Sequence, residues 1–246
     1  MMLSPARRDL IGRAAMTLYA SACATLKVIQ IVAMHGSVLD HVANVASLGF
    51  MLMIVATTFT RLPPVSSAPG ISPRVVALLG TFVTLTFVAL PPVEIAPGVK
   101  VASDILVIVG FSLCIWCLWW LGRSFSIMAQ ARRLVIKGPY RLIRHPLYAC
   151  EGVALAGLIL SKPSWAAITI VASVLVFQYL RIMNEEKVLR ETFPEYGAYA
   201  QMTPMLIPCL GLTPGRQYLI GSGSQASSAG SAGQIADVGG GARDLA

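Results

Sequence analysis

The sequence predicts an all-α, polytopic integral membrane protein with five to six membrane helices. Three observations predict it. Charged residues make up only 12% of the 246 residues and hydrophobic ones 56%, whereas soluble domains carry about 25% charged residues. Apolar runs close to the roughly 20 residues that a spanning helix needs recur along the chain. Basic residues also gather on alternate connecting segments, as they do around membrane helices.

Four apolar runs come first, at roughly 14–34, 42–60, 75–91 and 102–121, the first interrupted by Lys27. A polar, charge-rich interval follows at 122–146. Two further runs are LYACEGVALAGLIL (147–160) and PSWAAITIVASVLVFQYL (163–180), separated by a tight turn at Lys162-Pro163. The first of these would be about 21 Å long as a helix, short for a full crossing. The pair therefore reads as a C-terminal helical hairpin dipping into the membrane, which gives five spans and a hairpin arm, or six spans.

With the N-terminus inside, the inner segments hold Arg7, Arg8, Arg13, Arg61, Arg74, all six basic residues of 122–146 and those after 180. The outer segments hold only Lys100 and Lys162. This asymmetry predicts a multi-pass protein with a cytoplasmic N-terminus, in a bacterial inner membrane or an endoplasmic reticulum. It also accounts for the net charge of +8 without nucleic acid as a partner. The opening MMLSPARRDLIGRAAM reads as the start of a retained helix rather than a cleaved leader. Three regions result: N-terminal membrane helices (1–121), a chemistry-bearing region (122–215), and a Gly/Ser/Ala-rich tail (216–246) read as disordered. The five cysteines outline no disulfide framework. Cys114 and Cys117 form a CxxC inside an apolar run, where small buried residues are expected rather than a redox or metal site.

The stretch KGPYRLIRHPLY (137–148) stands out from its apolar surroundings. Gly138-Pro139 signals a turn, and Pro146 holds His145 toward extended geometry. A rigid loop entering a helix at about Leu147 presents free N–H groups suited to an anion. Arg141 and Arg144 can add bidentate contacts to a carboxylate or phosphate, and Tyr140 and Tyr148 offer aromatic faces. The competing reading is an interfacial anchor of basic and tyrosine side chains.

A second cluster is RIMNEEKVLRETFPEYGAYAQM (181–202). Arg181 and Glu185, four apart, share one helical face, and Glu186 points about 100° away. Phe193, Tyr196 and Tyr199 recur at three-residue spacing, for lining a site or for packing on the membrane domain. A solvated, salt-bridged helix end is the plainer alternative. The predicted topology brings this segment and the RHPLY strip to the same side.

GPYRLIRHPLY, then a helical hairpin, then R-x-x-x-E-E, F-x-x-Y-x-x-Y and a closing I-P resemble the isoprenylcysteine carboxyl methyltransferase family. That family shares a wider superfamily with the phospholipid N-methyltransferases. The resemblance covers about Leu121 to Pro208. It implies a pocket for S-adenosyl-L-methionine on the cytosolic side. The family's L-V-x-x-G-x-Y is matched by Leu134, Val135, Gly138 and Tyr140, and its R-H-P-x-Y by Arg144, His145, Pro146 and Tyr148. A cofactor-contacting glutamine corresponds to Gln130. Arg181 and Glu185 resemble the Arg and Glu of the last membrane helix, the Glu serving the cofactor and the Arg lying toward the acceptor; Glu186 joins the cofactor set. Two departures bear on the acceptor end. Phe193-Pro194 replaces the usual Phe-Gly, and MTPMLIP lacks the usual basic residue before I-P.

The function implied is transfer of a methyl group to a lipophilic acceptor that reaches the site from the bilayer. A carboxylate such as that of a prenylcysteine leads; it is ionised at neutral pH and needs no base. A phospholipid or other lipophilic amine or thiol is the alternative, and an amine must lose a proton. Two further readings are an NADPH-dependent enzyme resembling sterol reductases, and a transporter or scaffold using the intramembrane Lys27, Asp104 and Glu151.

Overall fold

A computed structural model describes residues 5–208 apart from 34, 71, 88–89 and 127–128. The tail at 216–246 lies outside the described residues. Each expected apolar run contains a helix, though α3 stops at Thr86, short of the end of the run expected at 75–91: α1 (Pro5–Ala33), α2 (Val38–Thr60), α3 (Ser72–Thr86), α4 (Pro97–Leu121), α5 (Pro146–Ser161) and α6 (Trp165–Thr192). A short α7 (Tyr196–Met202) follows. By length and composition α2, α4 with its extension to Ser124, and α6 can cross a membrane; Thr17–Ala33 of α1 and α5 are shorter apolar helices. The 15-residue α3 is about 22 Å long. The protein is therefore a helical membrane protein, as its composition predicts.

Local chemistry sets the helix boundaries. At α2, Ser37 Oγ accepts from Asp40 N (3.2 Å) while Asp40 Oδ2 accepts from Ser37 N (2.9 Å), a reciprocal cap. Pro97 and Pro146 open α4 and α5, where a missing N–H costs nothing. Ser164 caps α6 through Ala167 N. Helix α6 continues twelve residues beyond the apolar run that ends at 180 and stops only at Phe193. Arg181, Glu185 and Glu186 thus ride on one continuous, rigid helix.

The packing order differs from a simple hairpin. Helix α5 packs chiefly on α4, α6 packs on α3, and α5 and α6 touch little. Small residues explain this. A Cβ on Gly110 would lie 2.5 Å from Ala154 N, and one on Gly157 would lie 2.8 Å from Ser103 O. Backbones approach closely where side chains are absent. Ser103 Oγ then donates to Gly157 O (2.8 Å). Cys114 and Cys117, one and two turns beyond Gly110, are fully buried along this seam. A gap is left between α5 and α6, and the site lies there.

The face bearing the RHPLY strip is tied together by loops. The two-residue strand β1 (Ser66–Ser67) pairs antiparallel with β2 (Gln130–Ala131). Arg123 Nε donates to Thr60 O (2.8 Å) and Leu62 N to Arg123 O (2.9 Å). The α2–α3 connection thereby braces the segment that carries Gln130. At the opposite end Lys100 pairs with Asp40 and with Asp104, clipping α2 to α4. Trp116, Trp119 and Trp120 are exposed near one end of the bundle and Trp165 near the other, the placement of membrane-interface belts.

Candidate functional site

The KGPYRLIRHPLY strip folds as a short 3₁₀ turn (Gly138–Arg141) followed by the entry to α5. Gly138 has φ +61°, a region that an L residue occupies at a cost of about 1–2 kcal/mol. A Cβ there would also lie 2.4 Å from Trp120 Cδ2. Gly138→Ala is expected to destabilise the protein by at least about 1 kcal/mol and to shift tryptophan fluorescence as the indole moves. An unchanged melting midpoint and spectrum would refute this.

Glu186 is the hub beneath the strip. Its Oε1 accepts from Arg144 Nε (2.8 Å), His145 Nε2 (2.9 Å) and Tyr196 OH (2.6 Å). Its Oε2 accepts from Arg190 (3.1 Å). Arg144 also donates to Ala200 O (2.6 Å) and Thr203 O (2.7 Å). The backbone N–H groups of Arg144 and His145 reach Pro204 O and Met205 O. The strip, α6, α7 and the closing MTPMLIP segment are thus knotted around one carboxylate. Burial, and then the bond to Glu186, push the Tyr196 phenol above its usual range, so it stays a neutral donor.

A second group lies beside this knot. Tyr148 OH donates to Glu185 Oε1 (2.5 Å). The Arg181 guanidinium sits 5.3 Å from the centre of the Tyr148 ring. Arg181 and Glu185 do share a face of α6, directed at α5.

Both groups border a cavity of about 780 Å³. At one end its wall carries the polar Gln130, Tyr140, Tyr148 and Glu185 together with the aliphatic Leu134 and Val135. Arg144, His145 and Arg181 also reach it. Gly138, Pro146 and Glu186 do not line it; they shape the strip or hold it from behind. Arg141 is exposed and does not line the cavity. Beyond this end the wall is contributed by α1 to α6; it is mostly apolar in between and reaches a second charged set, Lys27, Asp40, Lys100, Asp104 and Lys162, at the far end. Of the aromatic stripe, Phe193 packs against Ala68, Ala129, Ala131 and Val188. Tyr199 OH donates to Tyr140 O (2.6 Å). Tyr196 and Tyr199 also line the cavity, so the stripe both borders the site and secures α7 to the bundle.

Among the cavity-lining residues outside the motifs, Arg132, Glu151 and Gln178 lie beside the motif residues. Arg132 is buried and donates to Gln130 Oε1 (2.7 Å). Gln178 Nε2 donates to Glu151 Oε2 (2.7 Å). Glu151 stands out in the sequence as an ionisable residue in an apolar run, whereas Arg132, in the loop after β2, and Gln178 carry no such signal.

Residues 99–196 match the family model described as Phospholipid methyltransferase. This segment, from α4 to the first residue of α7, is similar to the wider methyltransferase superfamily that the motifs resemble. The match does not single out the isoprenylcysteine branch. Among curated proteins, the chain is similar to a cobalt-zinc-cadmium resistance protein of Cupriavidus metallidurans, 37% identical over 83 residues. That match covers 33% of this chain and 38% of the relative. It is also similar to a nickel-cobalt-cadmium resistance protein of Alcaligenes xylosoxydans xylosoxydans, 34% identical over 112 residues, 45% of this chain and 50% of the relative. The chain thus spans half or less of the length of these relatives.

Proposed function

We propose that the chain is an integral-membrane methyltransferase that uses S-adenosylmethionine and acts on a lipophilic acceptor. The observation that carries this reading is the cavity. Its polar end is built from the RHPLY strip and Glu185, and it continues as an apolar space between membrane helices. A polar nucleoside and an apolar acceptor need such a two-ended site.

The polar end suits the cofactor chemically. The Tyr140 hydroxyl is buried in the cavity wall with no hydrogen-bond partner among the described residues, so it is available to a ligand. Burial pushes that phenol well above its usual range, keeping it neutral. Arg132 beside Gln130 supplies a buried cation for the cofactor's carboxylate, since Arg144 is spent on Glu186, Ala200 and Thr203. Glu185, fixed by Tyr148, suits an amino group or ribose hydroxyls. When bound, the cofactor supplies an electrophilic methyl group. The protein's part is to align the acceptor and exclude water. Arg181, beside Tyr148 on the membrane side of Glu185, is placed to orient an acceptor, including the carboxylate of a prenylcysteine-type group. We place this end of the cavity on the cytosolic side, as the distribution of basic residues favours.

Calorimetric binding of S-adenosylhomocysteine to the purified protein tests this, with NADPH as a control. Glu185→Gln is expected to weaken binding by about tenfold or more, the effect of losing a charge-assisted hydrogen bond. No binding by folded wild-type protein would remove this reading, and NADPH binding in its place would favour a reductase.

A further inference from the structure

We infer that Glu151, held by Gln178, is the acceptor-side proton acceptor of this site, so the acceptor is a nucleophile that carries a proton, an amine or a thiol, rather than a preformed carboxylate. The inference rests on the methyltransferase reading above and goes beyond it by choosing the acceptor's chemistry.

Position comes first. Glu151 lies one turn deeper along α5 than Tyr148, and Gln178 lies one turn deeper along α6 than Arg181. The two face each other across the gap between these helices, and both line the cavity. They therefore sit on the bilayer side of the Tyr148–Glu185–Arg181 group, where an acceptor entering from the membrane meets the polar end.

Hydrogen bonding comes second. Glu186 shows what a structural carboxylate looks like here: four donors close on it. Glu151 instead receives one hydrogen bond among the described residues, from the buried Gln178 amide. That bond orients the carboxylate and leaves Oε1 for a ligand. An ionisable group kept inside a membrane helix with so few partners is costly unless it has a use.

Charge comes third. Arg181 is within electrostatic reach of both Glu151 and Glu185, so one cation faces two carboxylates. A carboxylate acceptor would bring a third negative charge into this space. A nucleophile bearing N–H or S–H would find an acceptor for its proton. In the step assigned to Glu151 an ammonium N–H or a thiol S–H bond breaks, its electron pair stays on nitrogen or sulfur, and the proton passes to the Glu151 carboxylate. The lone pair so exposed is the one that can attack a methyl carbon.

The test uses full-length protein in zwitterionic nanodiscs, saturated with S-adenosylhomocysteine, and titrated with dodecylamine, dodecanethiol or dodecanoate. Comparing variant with wild type in identical discs removes simple partitioning into lipid. Wild type is expected to bind the amine or the thiol at least about tenfold more tightly than dodecanoate. Glu151→Gln should erase that preference while leaving S-adenosylhomocysteine binding intact, and Glu151→Asp should restore part of it. Whichever of amine and thiol loses affinity in Glu151→Gln identifies the acceptor type. Equal or tighter binding of dodecanoate by wild type, or an unchanged preference in Glu151→Gln, would overturn the inference. Failure of wild type to bind S-adenosylhomocysteine would instead count against the methyltransferase reading itself.

Discussion

Glu186→Ala is expected to lower the melting midpoint of the purified protein by about 10 °C and to release α7 from the bundle. The reasoning is electrostatic. Arg144 and Glu186 are both largely buried, with side chains 12% and 9% exposed. Removing the carboxylate leaves a guanidinium without its counter-ion and the Tyr196 hydroxyl without its acceptor. Breaking one side of such a pair costs about 3–5 kcal/mol, which for a chain of this size converts to a shift of about 10 °C. Glu186→Gln keeps an acceptor oxygen but loses the charge, and should fall between alanine and wild type. Hydrogen exchange gives the spatial readout: the amides of Arg144 and His145, bonded to Pro204 O and Met205 O, should lose protection first. A midpoint within about 2 °C of wild type for Glu186→Ala would show that the knot is not what holds this end together.

The same hub shows where sequence reasoning succeeds and where it stops. Apolar runs locate all six large helices because a membrane demands length and hydrophobicity, and both are local properties. The burial expected of the CxxC pair is found for a similar reason. Cys114 and Cys117 recur at helical spacing from Gly110, so they fall on the buried face. The R-H-P-x-Y strip and the R-x-x-x-E face are visible as departures from apolar composition, and they do meet at one cavity. Glu186 is different. Its helical phase directs it away from Arg181 and Glu185, and its partners come from residues 144, 145 and 196. No local pattern announces that convergence. Glu151 and Gln178 are 27 positions apart, joined only by the way two helices are set around a gap. The hairpin expectation shows a related limit. The tight turn between α5 and α6 is local and legible, but how closely the two arms pack is not: the glycines on α4 and α5 draw those two helices into contact and leave α6 to α3.

Gly110→Ala should do more damage than its size suggests, and it should do so at a distance from the site. A methyl group at this position would stand 2.5 Å from Ala154 N, 2.7 Å from its Cα and 2.8 Å from its Cβ. Two of these atoms are backbone, so no rotamer change relieves the clash. Comfortable carbon contacts lie near 3.5–4.0 Å, and α5 would have to move from α4 by about 1 Å. That movement breaks the Ser103–Gly157 bond (2.8 Å) and loosens a seam whose stability in a bilayer comes from close packing. Overpacking of this kind costs about 1–3 kcal/mol. The functional cost follows from geometry. Tyr148 and Glu151 ride on α5, while Glu185 and Gln178 ride on α6, which does not follow α5 because it is packed on α3. The 2.5 Å and 2.7 Å hydrogen bonds across the gap would change together. Gly110→Ala is therefore expected to weaken S-adenosylhomocysteine binding by about tenfold although residue 110 does not line the cavity. A conservative control, Gly98→Ala at the start of α4, has nothing within 4 Å of the added methyl and should bind as wild type does. If Gly110→Ala lowers the melting midpoint but leaves binding unchanged, the α4–α5 seam is a stability element only. If it changes neither, the close approach of these two helices is wrong.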